Sequence, residues 1–136
     1  MSERPQRAES EAALNNLTPH ILLIEDEPVV RQQLAEILRD EGYRVSEAAD
    51  AVEGYALIES TRDLLLLITD VGLPGQVDGA GLTKVLAQHQ PTLPVLVISG
   101  GARPGRDELP PGTVFLQKPV FPDQLLRLIQ RLLRGE

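Results

Sequence analysis

The sequence predicts an α/β domain built on a doubly wound parallel sheet. From His20 onward, strand-like apolar segments alternate strictly with segments that show helical apolar spacing. The segment over residues 64–69 is apolar without polar alternation, which is typical of a central parallel strand buried on both faces. Strict alternation of strands and helices indicates a parallel sheet covered by helices on both sides.

Five strands are predicted, and the first two helices have recognisable starts. The strands span residues 20–25, 44–49, 64–69, 94–99 and 113–117. The first helix has Pro28 in its first turn, where a missing N–H costs nothing, and it stops at Gly42. The second follows Asp50, with Glu53 three residues on as in a capping box, and runs to about Ser60.

The last two helices are predicted over residues 79–88 and 122–134, again from apolar residues at helical spacing. The connection between the fourth and fifth strands is different. It contains three prolines: Pro104, Pro110 and Pro111. Because proline interrupts helices, we expect at most one or two helical turns there.

Length and composition restrict the class of protein. A chain of 136 residues is long enough for one domain with its own core; we expect a flexible tail over residues 1–18 and the domain over residues 19–136. The net charge of -7 and the 3% aromatic content argue against nucleic-acid binding and against an anionic membrane surface. The absence of cysteine excludes disulfides and thiolate metal sites. With no signal-peptide segment or apolar stretch of membrane-spanning length, we expect a cytoplasmic protein.

Polar residues stand at the ends of four predicted strands. They are Glu25 and Asp26, Asp70, Ser99, and Lys118. The carboxyl ends of parallel strands share one edge, where ligands bind in open α/β sheets. The sequence therefore predicts a pocket with three carboxylates, a hydroxyl and an ammonium.

Each of these residues has an ordinary structural explanation when taken alone, as a helix cap, a turn residue or a solvated side chain. Their convergence points to chemistry. Three carboxylates in one cleft repel each other unless a cation balances them, and Mg²⁺ prefers oxygen ligands. A carboxylate can then act as a nucleophile toward a phosphoryl group, whose charge the cation, a lysine and a hydroxyl can neutralise.

In these motifs the chain resembles the receiver domain of bacterial two-component response regulators, of the stand-alone, single-domain type. The matching stretches occur in the family's order: ILLIEDE at residues 21–27, TDVGLPG at 69–75, VISG at 97–100 and FLQKP at 115–119. The resemblance covers about residues 19–134. It implies a flavodoxin-like sheet of order 2-1-3-4-5, here with a shortened fourth helix because of the proline-rich connection.

The resemblance also implies roles for the acidic residues. Asp70 would be the phosphoacceptor, taking a phosphoryl group from a phosphohistidine. Glu25, Asp26 and Asp70 would hold Mg²⁺ together with the backbone carbonyl of Gly72.

The remaining motif residues would contact or sense the phosphoryl group. By the resemblance, Ser99 bonds it through its hydroxyl, and Lys118 pairs with it. The Lys118–Pro119 peptide bond would be cis. Phe115 stands at the position of the switch aromatic, although an ordinary core aromatic explains it equally well.

The implied function is that of a phosphoacceptor signalling switch in a two-component system or phosphorelay. It would assist its own phosphorylation and dephosphorylation rather than act as an enzyme on other substrates. Its partner would be a sensor histidine kinase or a histidine phosphotransfer protein. We expect no DNA binding of its own, no membrane contact and a monomer.

Three other functions remain as alternatives. An aspartyl-nucleophile phosphatase also places carboxylates at strand ends, but such enzymes usually carry a second aspartate two residues after the nucleophile, where this chain has Gly72. A flavodoxin-like FMN binder is disfavoured because carboxylates after the first strand would repel a phosphate. A receiver-like module that only binds other proteins is the third. His20 and His89 are interpreted as structural.

Overall fold

The structure is a computed structural model that describes residues 18–70, 78–100 and 109–135. Within these residues strands and helices alternate along the chain. They are β1 (His20–Ile24), α1 (Pro28–Asp40), β2 (Arg44–Ala48), α2 (Ala51–Ser60), β3 (Leu64–Thr69), α3 (Gly79–His89), β4 (Val95–Ser99), β5 (Val114–Gln117) and α4 (Pro122–Leu133). Each predicted strand and helix is present, with ends that differ by one or two residues.

The five strands form one parallel sheet in the order β2-β1-β3-β4-β5. This confirms the doubly wound fold and the 2-1-3-4-5 order. The expected shortening of the helix between β4 and β5 and the expected tail over residues 1–18 stay predictions, because residues 1–17 and 101–108 lie outside the described residues.

Each side of the sheet packs against two helices, because successive residues of a strand point to opposite faces. From β1, Ile21 and Leu23 face α1 and α4, while Leu22 and Ile24 face α2 and α3. The first face is completed by Leu34, Leu38, Leu125 and Ile129. The second is completed by Ile58, Leu82, Val85 and Leu86. The aliphatic core anchors all four helices and so fixes the loops at both edges of the sheet.

Local sequence signals account for the helix ends. Pro28 occupies the first turn of α1, as predicted. The Asp50 side chain accepts a hydrogen bond from the backbone N–H of Glu53 at 2.9 Å, which confirms it as the N-cap of α2. Gly42 has a φ of 99°, a left-handed conformation that glycine adopts readily after a helix.

One residue of the central strand departs from the expected burial. Leu65 of β3 is 48% exposed, whereas the other residues of that strand are buried. The pairing with β1 explains the difference, because His20 pairs with Leu64 but Ile21 pairs with Leu66. Leu65 is therefore the extra residue of a bulge at the amino end of the strand.

Candidate functional site

The buried polar side chains lie at the carboxyl edge of the sheet. Among the described residues they are Glu25, Thr69, Asp70 and Ser99. Glu25 follows β1, Asp70 follows β3 and Ser99 ends β4. Glu25 is 3% exposed, Asp70 is 4% exposed and Ser99 is 8% exposed. Because burying polar groups costs free energy unless they are paired, this concentration marks the edge as a candidate site.

Lys118 connects the two buried carboxylates. Its Nζ donates to Asp70 Oδ2 at 3.2 Å and to Glu25 Oε1 at 3.3 Å. Its backbone N–H donates to the carbonyl of Ser99 at 2.9 Å, and the Lys118–Pro119 peptide bond is cis. The loops after β1, β3 and β5 therefore meet, as the sequence predicts.

The electrostatics of the pocket reflect burial and crowding. Burial raises the pKa of Glu25, and the neighbouring Asp26 side chain raises it further. The backbone N–H of Glu27, which donates to Glu25 Oε2 at 3.3 Å, and the Lys118 charge oppose the rise in this pKa only in part. Burial alone would lower the pKa of Lys118, but Asp70 and Glu25 outweigh it and raise that pKa. Burial is thus the main reason why the pKa of Glu25 is raised in spite of the nearby ammonium.

The remaining predicted ligands are placed differently. Asp26 is exposed at the start of the β1–α1 loop, and its side chain stays next to Glu25. Gly72 lies outside the described residues. Where the structure describes the chain, no group of three His, Cys, Asp or Glu side chains is arranged to hold a metal ion. The oxygen donors of Glu25, Asp26 and Asp70 nevertheless fit a hard cation such as Mg²⁺ in chemical type.

Phe115 lies on β5, beside the pocket rather than in it. It pairs in register with Val97 and is partly buried against the core on the α2 and α3 side of the sheet. This placement is compatible with a core aromatic, and the switch role stays a prediction.

Arg31 is a residue that the sequence interpretation missed. Its Nη1 donates a hydrogen bond to the backbone carbonyl of Glu25 at 2.8 Å. The sequence shows an unusual position for an arginine, but not the contact itself. Arg31 lies near the N-terminus of the first helix, where the helix dipole disfavours a positive charge.

His20 is part of a cluster at the opposite, amino edge of the sheet. Its Nδ1 is 2.9 Å from Asp63 Oδ1 and its Nε2 is 2.7 Å from Ser46 Oγ, while Arg44 forms an ion pair with Asp63. The cluster joins β1, β2 and the segment before β3. This agrees with the structural interpretation of the histidine.

The profile of the response regulator receiver domain matches residues 21–130. The chain belongs to the response regulator receiver domain family. Aerobic respiration control protein ArcA of Escherichia coli strain K12 is 34% identical over 125 residues, which cover 85% of this chain and 49% of that protein. The chain spans only 24% to 49% of the length of the curated relatives it matches first.

Solved receiver domains share the fold. The receiver domain of hybrid histidine kinase CckA is 38% identical, with a TM-score of 0.69 over 84% of this chain and 98% of that one. The receiver domain of sensor histidine kinase PA1611 from Pseudomonas aeruginosa PAO1 is 28% identical, with a TM-score of 0.73 over 86% of this chain and 98% of that one. That structure has a magnesium ion coordinated in its active site cleft.

Family membership establishes the general function. The protein contains a receiver domain of two-component signal transduction, a signalling domain rather than a classical enzyme. Receiver domains have sensor histidine kinases as partners. In the described part of this chain, none of the helices has the length and apolar character needed to cross a membrane.

Proposed function

We propose that this receiver domain is a phosphorylatable switch with Asp70 as its phosphoacceptor. The observation that carries the proposal is the position of that carboxylate. It is buried at the carboxyl end of the central strand β3 with the Lys118 ammonium 3.2 Å from Oδ2. A carboxylate held in a cleft beside a cation suits attack on a phosphoryl group, because the cation stabilises the charge that spreads over the phosphoryl oxygens.

The proposed transfer starts from a phosphohistidine of a sensor kinase or of a histidine phosphotransfer protein. A carboxylate oxygen of Asp70 forms a bond to phosphorus as the bond from phosphorus to the imidazole nitrogen breaks. The electron pair stays with the imidazole. Lys118 then pairs with the phosphoryl oxygens, and the Ser99 hydroxyl donates to one of them.

We further propose that Glu25, Asp26 and Asp70 hold Mg²⁺, with the backbone carbonyl of Gly72. Two of these carboxylates are buried together, and Asp26 lies beside Glu25, so three oxygen-donor side chains lie close to the same edge of the sheet. When bound, the cation supplies charge neutralisation for the transferred phosphoryl group. The magnesium ion in the PA1611 receiver domain supports this assignment by analogy.

Membership of the receiver family weighs against the phosphatase and FMN-binding alternatives. The surviving alternative is a receiver-like domain that binds partners without phosphorylation. It predicts no acyl phosphate on Asp70, so one experiment separates the two.

The test is incubation with Mg²⁺ and acetyl phosphate, followed by intact-mass measurement with and without hydroxylamine, which cleaves acyl phosphates. We expect a mass increase of one phosphoryl group that hydroxylamine removes. Asp70→Asn should abolish it, because an amide is not a nucleophile. Asp63→Asn, which changes a carboxylate at the opposite edge of the sheet, should retain it. Labelling that survives in Asp70→Asn would move the acceptor elsewhere, and no labelling of the unaltered protein would favour the binding module.

A further inference from the structure

Arg31 joins the first helix to the loop that carries the acidic pair. The hydrogen bond from its Nη1 to the Glu25 carbonyl is 2.8 Å long, and the side chain is only 20% exposed. A positive charge this close to a helix N-terminus is unfavourable for the helix itself. The contacts of Arg31 with the Glu25 carbonyl and with Glu47 offset this cost.

The bonded carbonyl belongs to the peptide unit that links Glu25 to Asp26. A peptide unit is planar, so a hydrogen bond to its oxygen restricts the rotation of the whole unit and of the two Cα atoms in it. Glu25 is 3% exposed, and its carbonyl would have little water to replace a lost donor. Arg31 is thus placed to restrain the peptide unit from which the two neighbouring carboxylates extend.

Glu47 on the edge strand β2 holds the guanidinium in place. Its Oε1 is 3.5 Å from Arg31 Nε, and its Oε2 is 3.1 Å from Arg39 Nη2. Arg39 also donates to the carbonyl of Val45 at 3.0 Å. Both arginines belong to α1 and share the same glutamate, but they donate to different backbone carbonyls. Arg31 donates to Glu25, whereas Arg39 donates to Val45.

We propose that Arg31 is a positioning residue for the metal and phosphoryl site, acting through the Glu25–Asp26 peptide. This inference rests on the proposed function. The guanidinium holds the peptide in the orientation that directs both carboxylates to the cation. Its own part in the chemistry is indirect.

Three roles of Arg31 predict effects of different sign on metal affinity. If Arg31 acts only as a charge, its removal tightens Mg²⁺ binding, because like charges repel. If it is only a brace between α1 and β2, its removal lowers stability and leaves the affinity of the folded protein unchanged. If it positions the acidic pair, its removal weakens Mg²⁺ binding.

The experiment is calorimetric titration of Mg²⁺ into the full chain and three variants, at a temperature where circular dichroism shows each to be folded. We expect Arg31→Ala to raise the Kd for Mg²⁺ about tenfold, the size of effect typical when a partner of a metal ligand is removed. Arg31→Lys should give an intermediate Kd, because lysine keeps the charge but lacks the fork that reaches both the carbonyl and Glu47. Arg39→Ala, the matched control, removes an equal charge and a contact to the same glutamate, and should keep the original Kd.

A kinetic measurement provides the second readout. The rate of labelling by acetyl phosphate should need more Mg²⁺ in Arg31→Ala, yet reach the original rate at saturating Mg²⁺, because the variant changes affinity rather than the nucleophile. Unchanged or tighter binding in Arg31→Ala would overturn the inference, as would equal losses in Arg31→Ala and Arg39→Ala. If the unaltered protein itself binds no Mg²⁺, the metal assignment under the proposed function fails, and the inference fails with it. Titration of the unaltered protein therefore tests the metal assignment, and titration of Arg31→Ala tests the positioning role.

Discussion

Lys118 places one ammonium between two buried carboxylates, since its Nζ contacts both Asp70 and Glu25. Lys118→Ala would leave these carboxylates facing each other. We expect the free energy of unfolding in the presence of a chelator to fall by about 2 kcal/mol, less than for a fully buried pair because the lysine is 28% exposed.

Addition of Mg²⁺ should recover much of that loss, because a ligand that binds only the native state stabilises it. The variant should still bind Mg²⁺ but lose the conformational response to phosphorylation, since the proposed role of the ammonium is to pair with the phosphoryl group. Chemical denaturation with and without Mg²⁺ tests this. The other lysine, Lys84, is exposed on α3, and Lys84→Ala serves as the control. Equal losses of stability in the two variants would contradict the prediction.

Asp63 gives a separate prediction on pH. The hydrogen bond from His20, together with that from Arg44, lowers the pKa of its carboxyl to about 2. Because the folded pKa is depressed, the stabilisation is complete above the ordinary value of 3.8 and is lost as the pH falls through about 2. The side chain is 47% exposed, so we expect Asp63→Asn to lower the free energy of unfolding at pH 7 by about 1 kcal/mol or less.

The difference between Asp63→Asn and the unaltered protein should shrink between pH 4 and pH 2, which urea unfolding across that range measures. Ser46→Ala removes the other hydrogen bond of His20 and leaves both partners of Asp63 in place. Its effect on stability should not depend on pH in this range. A constant difference for Asp63→Asn would show that the ion cluster contributes nothing through charge.

At the scale of residues, the sequence was sufficient to predict that the polar side chains at the ends of four strands lie close together. These are Glu25, Asp70, Ser99 and Lys118. Their convergence follows from parallel topology alone. The contact between Arg31 and a backbone carbonyl could not be predicted, because it depends on how far α1 is rotated against β1. The roles of these residues stay predictions.

At the scale of elements, the packing of α2 on β1 depends on a glycine. A Cβ added at Gly54 would lie 2.3 Å from Cδ1 and 2.9 Å from Cγ1 of Ile24, which is buried next to the acidic loop. Gly54→Ala gains helix propensity, worth about 1 kcal/mol. The clash outweighs this gain, and we expect a net loss of about 1–2 kcal/mol of stability.

A double-mutant cycle tests the packing of Gly54 on Ile24. Ile24→Val removes Cδ1, the nearest atom, so Gly54→Ala should cost less in that background. Gly81→Ala is the control, because an added Cβ would lie 3.1 Å from the hydroxyl of Tyr55, a less severe approach than at Gly54, and its nearest neighbours belong to Tyr55 rather than to Ile24. If the losses of stability from the Gly54 and Ile24 changes are additive, the two residues do not interact in this way, and α2 accommodates the new methyl group by shifting as a whole.

The starts of the helices were predictable, whereas some details of the strands were not. Pro28 and Asp50 mark helix starts through local chemistry that needs no tertiary contact. The exposure of Leu65 comes from a register shift against β1, and register depends on the neighbouring strand. An uninterrupted apolar run therefore predicted the strand correctly but not the exposure of every residue in it.

At the scale of the whole molecule, the alternation of strands and helices was enough to predict the parallel sheet, because right-handed crossovers leave few arrangements open. The resemblance supplied the strand order. Alternation did not predict the structure of the connection between β4 and β5. The three prolines predict only that a helix there is short, and residues 101–108 lie outside the described part of the chain.

The expected oligomeric state follows from that same side of the molecule. A two-fold dimer needs a self-complementary patch of about 800 Å² on each copy. A shortened helix between β4 and β5 would supply less of it. The neighbouring helix α4 exposes Arg127 and Arg131 on one face, and a symmetric contact through that face would bring like charges together.

We therefore predict a monomer before and after activation. Sedimentation velocity with Mg²⁺, with and without beryllofluoride as a phosphoryl mimic, measures this directly. Asp70→Asn is the control, because it should not respond to beryllofluoride at all. A shift to dimer that is lost in Asp70→Asn, and that substitution of Arg127 and Arg131 weakens, would show that the α4 face is the dimer contact and would contradict the prediction.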